Sequence, residues 1–462
     1  MATVELEHRK LNDAHLIQQL QILRQADNFT NLFYILRTYL FLTMILGGTI
    51  VFYYHRESWG LPWWTNVPIS VMAIFLVGGG QHQLTGLGHE GSHHILFKTK
   101  KWNELASDWL CMFPVYSTTH FYRLQHLAHH QFVNDPERDP DVSQLVTSGH
   151  WLGFPATAKK FYGFLFKQLW LPNLVKFMGV RAAYNATGTD KNPYVKKITS
   201  TNKWGIRIAM IYLFSLIPIL SALVWWQNLL ILAVVPPALL AFISAVYLLL
   251  SAECFQKARV HPIFSARATS IMRLTYVTLI FTSLAWLQAV VDPWAPLYYF
   301  TLWLVPIFTS FSFFMILRQV VQHGNGDRGW LTNTRVFFTN PLINFCVFPM
   351  GQDFHLPHHL YATVPHYRLR KLHEVLVEYP EYQAQALEVH GYIVSPEKPK
   401  VHPTVVDVLG PEYASKEFHG VHIDNTVLDG CEVEEKQIIL QAGEEEVRKG
   451  LETAAAVAAK PD

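Results

Sequence analysis

Six apolar stretches limit what this chain can fold into. Each is close to the roughly 20 residues that an α-helix needs to cross the apolar core of a bilayer. Because backbone polar groups inside a bilayer must be satisfied within the segment, each stretch predicts a helix. The chain is therefore predicted to be an all-α integral membrane protein with about six transmembrane helices. The stretches lie at residues 36–54, 66–86, 207–226, 228–250, 271–291 and 296–318.

The composition supports a membrane protein. Half of the residues are hydrophobic and 16% are charged, whereas about a quarter are charged in a typical soluble domain. The net charge of +2 gives no reason to expect a nucleic-acid partner. The four cysteines form no Cys-x-x-Cys motif, so neither a disulfide framework nor a thiolate metal site is indicated. The polar first thirty residues predict insertion through internal segments rather than a cleavable signal.

The distribution of lysine and arginine predicts the orientation. The connections at 55–65, 226–227 and 292–295 contain a single basic residue, Arg56, and the alternate connections are rich in them. The positive-inside rule then places both termini and the histidine-rich segments on the cytoplasmic side. A further stretch, 161–180, contains two lysines and a proline, and it is predicted to be an interfacial amphipathic helix.

Three regions are predicted along the chain. Residues 1–35 form a cytoplasmic N-terminal segment, and residues 36–375 form the membrane domain that carries the histidines. Residues 376–462 form a polar cytoplasmic tail, whose last stretch, EEEVRKGLETAAAVAAKPD, predicts a short helix followed by a frayed end.

Nine of the 23 histidines recur in short motifs next to the predicted spans. The segments QHLAHH and FHLPHH repeat the pattern His-x-x-His-His, and positions i, i+3 and i+4 share one face of a helix. The segment GHEGSHH has two histidines four residues apart, and one more histidine follows the sixth span. The nine are His89, His93, His126, His129, His130, His323, His355, His358 and His359.

Nine imidazoles at one membrane face predict a dinuclear metal site. One ion takes roughly four to six ligands, so nine suit two ions better than one. Neutral imidazole suits zinc, copper, iron and nickel. His94 remains an alternative to His93, and His82 is interpreted as structural. The dispersed histidines are predicted to have no ligand role; they are His366, His373, His390, His402, His419 and His422.

Polar residues near these histidines are candidates for their outer hydrogen bonds. A metal-bound histidine usually donates its second ring N–H to a carboxylate or a carbonyl. Asp139 and Asp141 could equally form turns, and Gln319 could either hold a metal-bound water or pack between helices. The candidates are Glu90, Asp139, Asp141, Gln319 and Asp353.

The three motifs resemble the histidine boxes of the membrane fatty acid desaturase superfamily, which also includes carotenoid ketolases and hydroxylases. The flanking segments HHQFVNDPERDPDV and TNTRVFFTNPLINF add to the likeness, which covers residues 66–142 and 296–375. Residues 88–94 are called box one below, residues 125–130 box two, and residues 354–359 box three.

The resemblance implies a non-haem di-iron centre that activates O2. The nine histidines would be ligands of two iron ions, and no catalytic residue beyond the metal centre is implied. A separate electron donor of the ferredoxin or cytochrome b5 type is implied, together with a lipid substrate taken from the membrane. Pro357 lies inside box three, where it suits only the start of a helix.

Several functions remain open from the sequence. A fatty acyl desaturase is the leading interpretation, and a hydroxylase or ketolase of a carotenoid or other lipid is the alternative, since the spacing of the boxes does not encode which reaction follows. A membrane zinc hydrolase fits less well, because one zinc with three protein ligands needs fewer histidines. A metal transporter would place its ligands near the middle of the spans.

Overall fold

A computed structural model describes residues 10–415 and 417–458 of the chain. The beginning of the predicted N-terminal segment and the last residues of the predicted frayed end lie outside this description. The prediction of six spans is confirmed: among the described residues, six helices are long and apolar enough to cross a membrane. They are Thr30–His55, Trp63–Ser92, Trp204–Trp225, Leu229–Leu249, Ala266–Val290 and Ala295–His323.

The described chain is mostly helical. In chain order the α-helices are α1 (Ala14–Leu23), α2 (Thr30–His55), α3 (Asn66–Ser92), α4 (Lys100–Ala106), α5 (Thr119–Gln131), α6 (Pro140–Ser148), α7 (Ala158–Gln168), α8 (Leu171–Thr187), α9 (Trp204–Trp225), α10 (Leu229–Leu249), α11 (Ala266–Val290), α12 (Ala295–Tyr299), α13 (Val305–Phe308), α14 (Ser310–His323), α15 (Pro341–Cys346), α16 (His355–Leu360), α17 (Leu369–Leu376), α18 (Pro380–Gln385), α19 (Val405–Val408) and α20 (Lys436–Ala458). Two short strands, β1 (Val336–Phe338) and β2 (Glu388–His390), pair in parallel.

Two spans extend past their apolar stretches, and each has a histidine in this extension. The second span continues as α3 to Ser92, so that His89 lies in its last turn. The sixth span contains the π-helical segment Phe300–Leu304 and a break at Thr309, and α14 then ends at His323. Both spans end on the side from which the first span starts, which brings these two histidines to one end of the helix assembly.

The second span packs closely against the sixth because it contains glycines. A Cβ atom at Gly78 would lie 2.1 Å from the Ser310 hydroxyl oxygen and 2.7 Å from the backbone nitrogen of Phe311. No residue larger than glycine fits there without moving the backbone. The break in the sixth span is anchored at the same contact, because the Ser310 hydroxyl donates to the carbonyl of Ile74 (2.6 Å).

The segment at 161–180 differs from its prediction. A single helix was expected, but the structure has two, α7 and α8, separated at Leu169 and Trp170. The segment divides here because of Pro172. Proline is favoured in the first turn of a helix, and it has no backbone N–H to donate a hydrogen bond in a helix interior. Neither α7 nor α8 is among the candidate spans.

Boxes two and three lie on separate helices outside the spans. Helix α5, which carries box two, begins where the Asp108 carboxylate accepts a hydrogen bond from the backbone N–H of Thr119 (2.7 Å). Helix α16, which carries box three, begins at His355 and spans six residues. Pro357 is therefore in its first turn, which confirms the prediction that this proline marks a helix start.

The C-terminal part of the chain packs against the helices that carry the boxes. The Asn425 side chain accepts a hydrogen bond from Gln131, at the end of α5 (2.8 Å), and Val427 and Leu428 are buried. Helix α20 is attached to the loop after box two, since Arg138 forms ion pairs with Glu445 and Glu446.

Candidate metal centre

The structure brings all nine predicted histidines together, and it sorts them into two groups. Within each group one ring nitrogen per histidine lies within 4.8 Å of those of the others. Eight of the nine rings are buried and His93 is half-buried. Group A comprises His89, His93, His126, His130 and His358, and group B comprises His129, His323, His355 and His359.

The repeated His-x-x-His-His pattern explains this division. In box two, His126 and His130 (positions i and i+4) belong to group A, and His129 (position i+3) belongs to group B. Box three shows the reverse: His355 and His359 (positions i and i+4) belong to group B, and His358 (position i+3) belongs to group A. Because i and i+4 side chains lie one above the other on a helix, each box supplies a pair of rings to one group and a single ring to the other.

In group A the Nε2 atoms converge. The Nε2 atoms of His93 and His126 are 2.8 Å apart, and His130 Nε2 is 3.0 Å from the Nε2 atoms of both His126 and His358. A neutral imidazole has one donor and one acceptor nitrogen. A cation among these nitrogens would use all of their lone pairs at once, whereas hydrogen bonds between the rings cannot.

Group B has the same convergence and lies directly beside group A. His355 Nε2 is 2.8 Å from His323 Nε2 and 3.1 Å from His359 Nε2. The rings of His130 and His359, one from each group, stack with their centroids 4.2 Å apart. The two groups therefore lie side by side in one continuous cluster of imidazoles.

Two outward-facing nitrogens of group B have hydrogen-bond partners. His129 Nδ1 donates to the Asp139 carboxylate (2.9 Å), and His323 Nδ1 donates to the carbonyl of Asn333 (3.1 Å). With the proton on Nδ1, the lone pair of each ring is on Nε2, which is the nitrogen directed at the group. This is the usual arrangement around a metal-bound histidine.

Burial keeps most of these rings neutral. It lowers the pKa of His358 to about 3, and it lowers the pKa values of His126, His130, His355 and His359 well below their ordinary range. Neutral imidazole is the form that binds a metal.

His129 is the exception. Burial lowers its pKa, but the carboxylates of Asp139 and Asp141 oppose this effect and raise the pKa overall. Group B thus has negative charge close to one of its rings.

The arrangement fits two transition-metal ions. The donors are buried, mostly neutral imidazoles with converging lone pairs, and they occur as five and four, close to the roughly four to six ligands that one such ion takes. His130, His355 and His358 have a buried Nδ1 with no hydrogen-bond partner among the described residues. These rings are held by packing, so their positions depend on the helices that carry them.

The other predicted outer partners lie in different places. Glu90 Oε1 is 3.6 Å from His89 Nδ1, and its second oxygen accepts from the backbone N–H of His366 (2.8 Å). The Asp353 carboxylate accepts from the Asn344 side chain (3.2 Å), and within the described ranges it has no hydrogen bond to a histidine.

Asp139, Asp141 and Gln319 form a connected set. Asp139 contacts His129 and also accepts from the backbone N–H groups of Asn134 and Asp141 (both 2.9 Å), so it has both of the roles considered from the sequence. Asp141 accepts from the Gln319 side chain (2.9 Å). Gln319 therefore links the sixth span to the start of α6.

Sequence reasoning missed two polar contacts of group A. Gln352 Nε2 lies 3.3 Å from a ring nitrogen of His89, and the side chain of Gln322 donates to the Gln352 carbonyl (2.8 Å). A glutamine two residues before box three offers no pattern that would have identified it.

The second missed contact is a buried ion pair. The Arg123 guanidinium binds both oxygens of Glu104 (2.7 and 3.2 Å), and it also donates to the carbonyls of Gly91 (2.9 Å) and Ser92 (2.8 Å). Arg123 thus fastens the end of α3, with box one, to the helix of box two. An arginine two positions before box two was the available signal.

His82 and His94 belong to neither group. His82 Nδ1 bonds the carbonyl of Cys346 (2.7 Å), which agrees with a structural role. His94 lines a cavity of about 100 Å³ next to His93, together with Val427 and Cys431 of the C-terminal region.

Comparisons with known proteins agree with this geometry. The chain matches the sequence profile described as "Fatty acid desaturase" over residues 61–255 and 249–389. It is also similar to the dihydrorhizobitoxine desaturase of Bradyrhizobium elkanii, with 28% identity over 133 residues. That match covers 29% of this chain and 34% of the relative. Since the profile matches more than half of the residues, this chain belongs to the fatty acid desaturase family.

Proposed function

We propose that this protein is an O2-dependent desaturase of a fatty acyl chain and that its nine buried histidines hold two iron ions. The observation that supports this most strongly is the division of the nine rings into two adjacent groups with converging nitrogens. Membership of the family makes the chain an oxidoreductase; the substrate and the identity and number of the metal ions are proposed.

The protein's contribution would be ligation, orientation and exclusion of water. When bound, a pair of irons supplies the oxidising power needed to remove hydrogen from an unactivated C–H bond. The histidines of groups A and B would hold the ions, and Asp139 and Asn333 would fix two of the rings. Burial of the rings keeps bulk water away from the reacting carbon.

A cleft supports a long apolar substrate. It has a volume of about 720 Å³ and lies between α2 and the segment before box three, lined by Phe41, Met44, Phe345 and Met350 among others. This size is typical of lipid and cofactor sites. Gly351 forms part of the lining, and the next residue in the chain, Gln352, contacts His89. An acyl chain in the cleft would lie close to group A.

Desaturation is preferred over hydroxylation or ketolation because the relative from Bradyrhizobium elkanii is itself named a desaturase. The electron donor would be a separate protein of the ferredoxin or cytochrome b5 type, and the boxes and both termini would be on the cytoplasmic side.

Metal content of the detergent-purified protein is the first test. About two irons per chain are expected, since two groups of imidazoles suit two ions. Negligible iron, together with a zinc that is lost in His358→Ala, would contradict the di-iron proposal and favour a zinc hydrolase. His358→Ala, purified in the same way, should contain less iron.

Product analysis is the second test. Membranes containing the protein are given candidate acyl lipids, O2 and a reductant, and the products are examined by mass spectrometry. Loss of two hydrogens is expected, and gain of an oxygen atom would instead establish the hydroxylase or ketolase alternative. Membranes with His358→Ala show which products depend on the metal centre.

A further inference from the structure

A second cluster of possible metal ligands lies outside the three boxes. One ligand atom each from Glu388, His390 and His402 lies within 4.8 Å of the others. All three side chains are partly buried and partly accessible to solvent. The sequence had suggested no ligand role for either histidine, because they are twelve positions apart and follow no motif.

A glutamate fixes the two histidine rings. Glu397 Oε1 accepts from His390 Nδ1 (2.8 Å) and from His402 Nδ1 (2.7 Å). The two rings stack with centroids 3.9 Å apart and planes at 14°. Since both Nδ1 atoms donate to one carboxylate, both lone pairs are on Nε2. An outer carboxylate that holds histidines in this way is a regular companion of metal sites.

The opposite side of His390 faces a carboxylate without bonding it. Its Nε2 is buried and has no hydrogen-bond partner among the described residues, and Glu388 Oε2 lies 3.6 Å from it. That separation is too long for a hydrogen bond. Two ligands bound to one tetrahedral zinc at about 2.0–2.1 Å are roughly 3.3 Å apart, so a small shift would place both atoms on one ion.

We propose that Glu388, His390 and His402 bind one divalent transition-metal ion of the zinc type. Imidazole nitrogen and carboxylate oxygen are both common zinc ligands. Water can fill the fourth position. His373 is the other candidate, because its Nε2 is 3.3 Å from the second oxygen of Glu388.

The ion would connect segments that support box three. His390 ends β2, and its backbone N–H donates to the carbonyl of Pro403 (2.8 Å), next to His402. Strand β2 pairs with β1, and the β1 residue Phe337 donates to the carbonyl of Asp353 (2.8 Å), just before box three. The role of the ion is therefore stabilisation of the scaffold, separate from the redox centre.

The test uses zinc as the probe and the full-length, iron-loaded protein. The purified protein is equilibrated with ZnCl2 and desalted, and its zinc and iron contents and thermal midpoint are measured. The wild type is expected to retain one zinc per chain in addition to its iron, and its midpoint should rise with zinc. The double variant His390→Gln/His402→Gln should retain no zinc while keeping its iron.

Two controls assign the zinc to this cluster. His419→Gln removes another surface histidine, one that pairs with Asp327, and it should retain zinc like the wild type. His358→Ala, in group A, should lose iron and keep this zinc. Equal zinc in the wild type and the double variant would overturn the proposal, as would loss of the zinc from His419→Gln or from His358→Ala.

Loss of iron from the double variant would show that it does not fold. In that case the variant Glu397→Gln provides the test of the zinc site. It removes the charge that fixes both rings but none of the proposed ligands. Its zinc affinity is expected to fall by about 10–100-fold, the usual effect of losing an outer partner, with iron retained. Unchanged zinc affinity would overturn the proposal.

Discussion

Groups A and B hold their rings in different ways. Group A has five histidines, and Arg123 bonds the carbonyls of Gly91 and Ser92 at its box-one end. Group B has four histidines and a carboxylate, Asp139, bonded to one of them. Two adjacent groups of imidazoles can thus differ both in the number of their rings and in the charge of the groups that hold those rings from behind.

The largest expected effects come from removing one ligand of each group. His358→Ala takes a ring from group A and His129→Ala takes one from group B. Each variant should lose activity by more than about 100-fold, because even the loss of an outer partner costs 10–100-fold. Turnover and iron per chain are measured on protein that is still inserted in the membrane.

The control for this pair is His261→Ala, which removes an exposed histidine beside Glu434 and should leave activity unchanged. Full activity in either ligand variant would refute the assignment of its group.

Asp139→Asn tests the charge behind group B. The amide keeps the size of the side chain but removes the negative charge that His129 Nδ1 faces. Iron affinity at group B is expected to fall by about 10–100-fold, while iron at group A is retained. Iron retention is measured by dialysis against a chelator.

Asp353→Asn is the matched control, because that carboxylate bonds Asn344 rather than a histidine. If both asparagine variants lose iron to the same extent, the carboxylate beside His129 has no special role, and the proposed difference between the groups fails.

Arg123→Lys tests the fastening of group A. Lysine keeps the charge but cannot bind both Glu104 oxygens and two carbonyls at once. The free energy of unfolding should fall by about 2 kcal/mol, the scale of losing a charged hydrogen bond in a buried site. The chelator assay should show faster iron loss at group A than in the wild type.

In this variant group B serves as the internal control, since Arg123 bonds the end of α3 rather than any group B residue. Equal acceleration of iron loss from both groups would indicate general unfolding and not a local effect on box one.

Gln352→Leu should have the smallest effect. Its side chain lies 3.3 Å from His89 and carries no charge. A decrease of a few-fold in iron affinity at group A is expected, since a neutral hydrogen bond contributes about 1 kcal/mol. A loss as large as that of Asp139→Asn would mean that group A also depends on one strong outer partner.

Much of the fold could be predicted because its signals are local. The apolar stretches gave six spans to within a few residues, and Pro357 marked the start of α16. The proline at 172 was visible too, but its effect was underestimated, since one helix was expected where α7 and α8 lie.

The site was predictable in its members but not in its arrangement. The spacing of the histidines predicted nine donors, and the structure brings all nine into two adjacent groups. Which ring joins which group depends on how α5 and α16 face each other, and no residue pattern specifies that. Glu397 shows the same limit, because its contact with His390 and His402 arises from the folding of a loop with no periodicity.

Because both groups combine rings from boxes two and three, group A cannot be complete until residue 358 has been synthesised, and group B cannot be complete until residue 359. The ribosome adds about 5–20 residues per second, so box one waits in the membrane for tens of seconds before its last partner emerges. During that interval the chain offers only partial sets of ligands. Full loading of the proposed metal centre would thus be a late event in the life of the chain, and any ion captured earlier would be held by fewer rings than the finished protein provides.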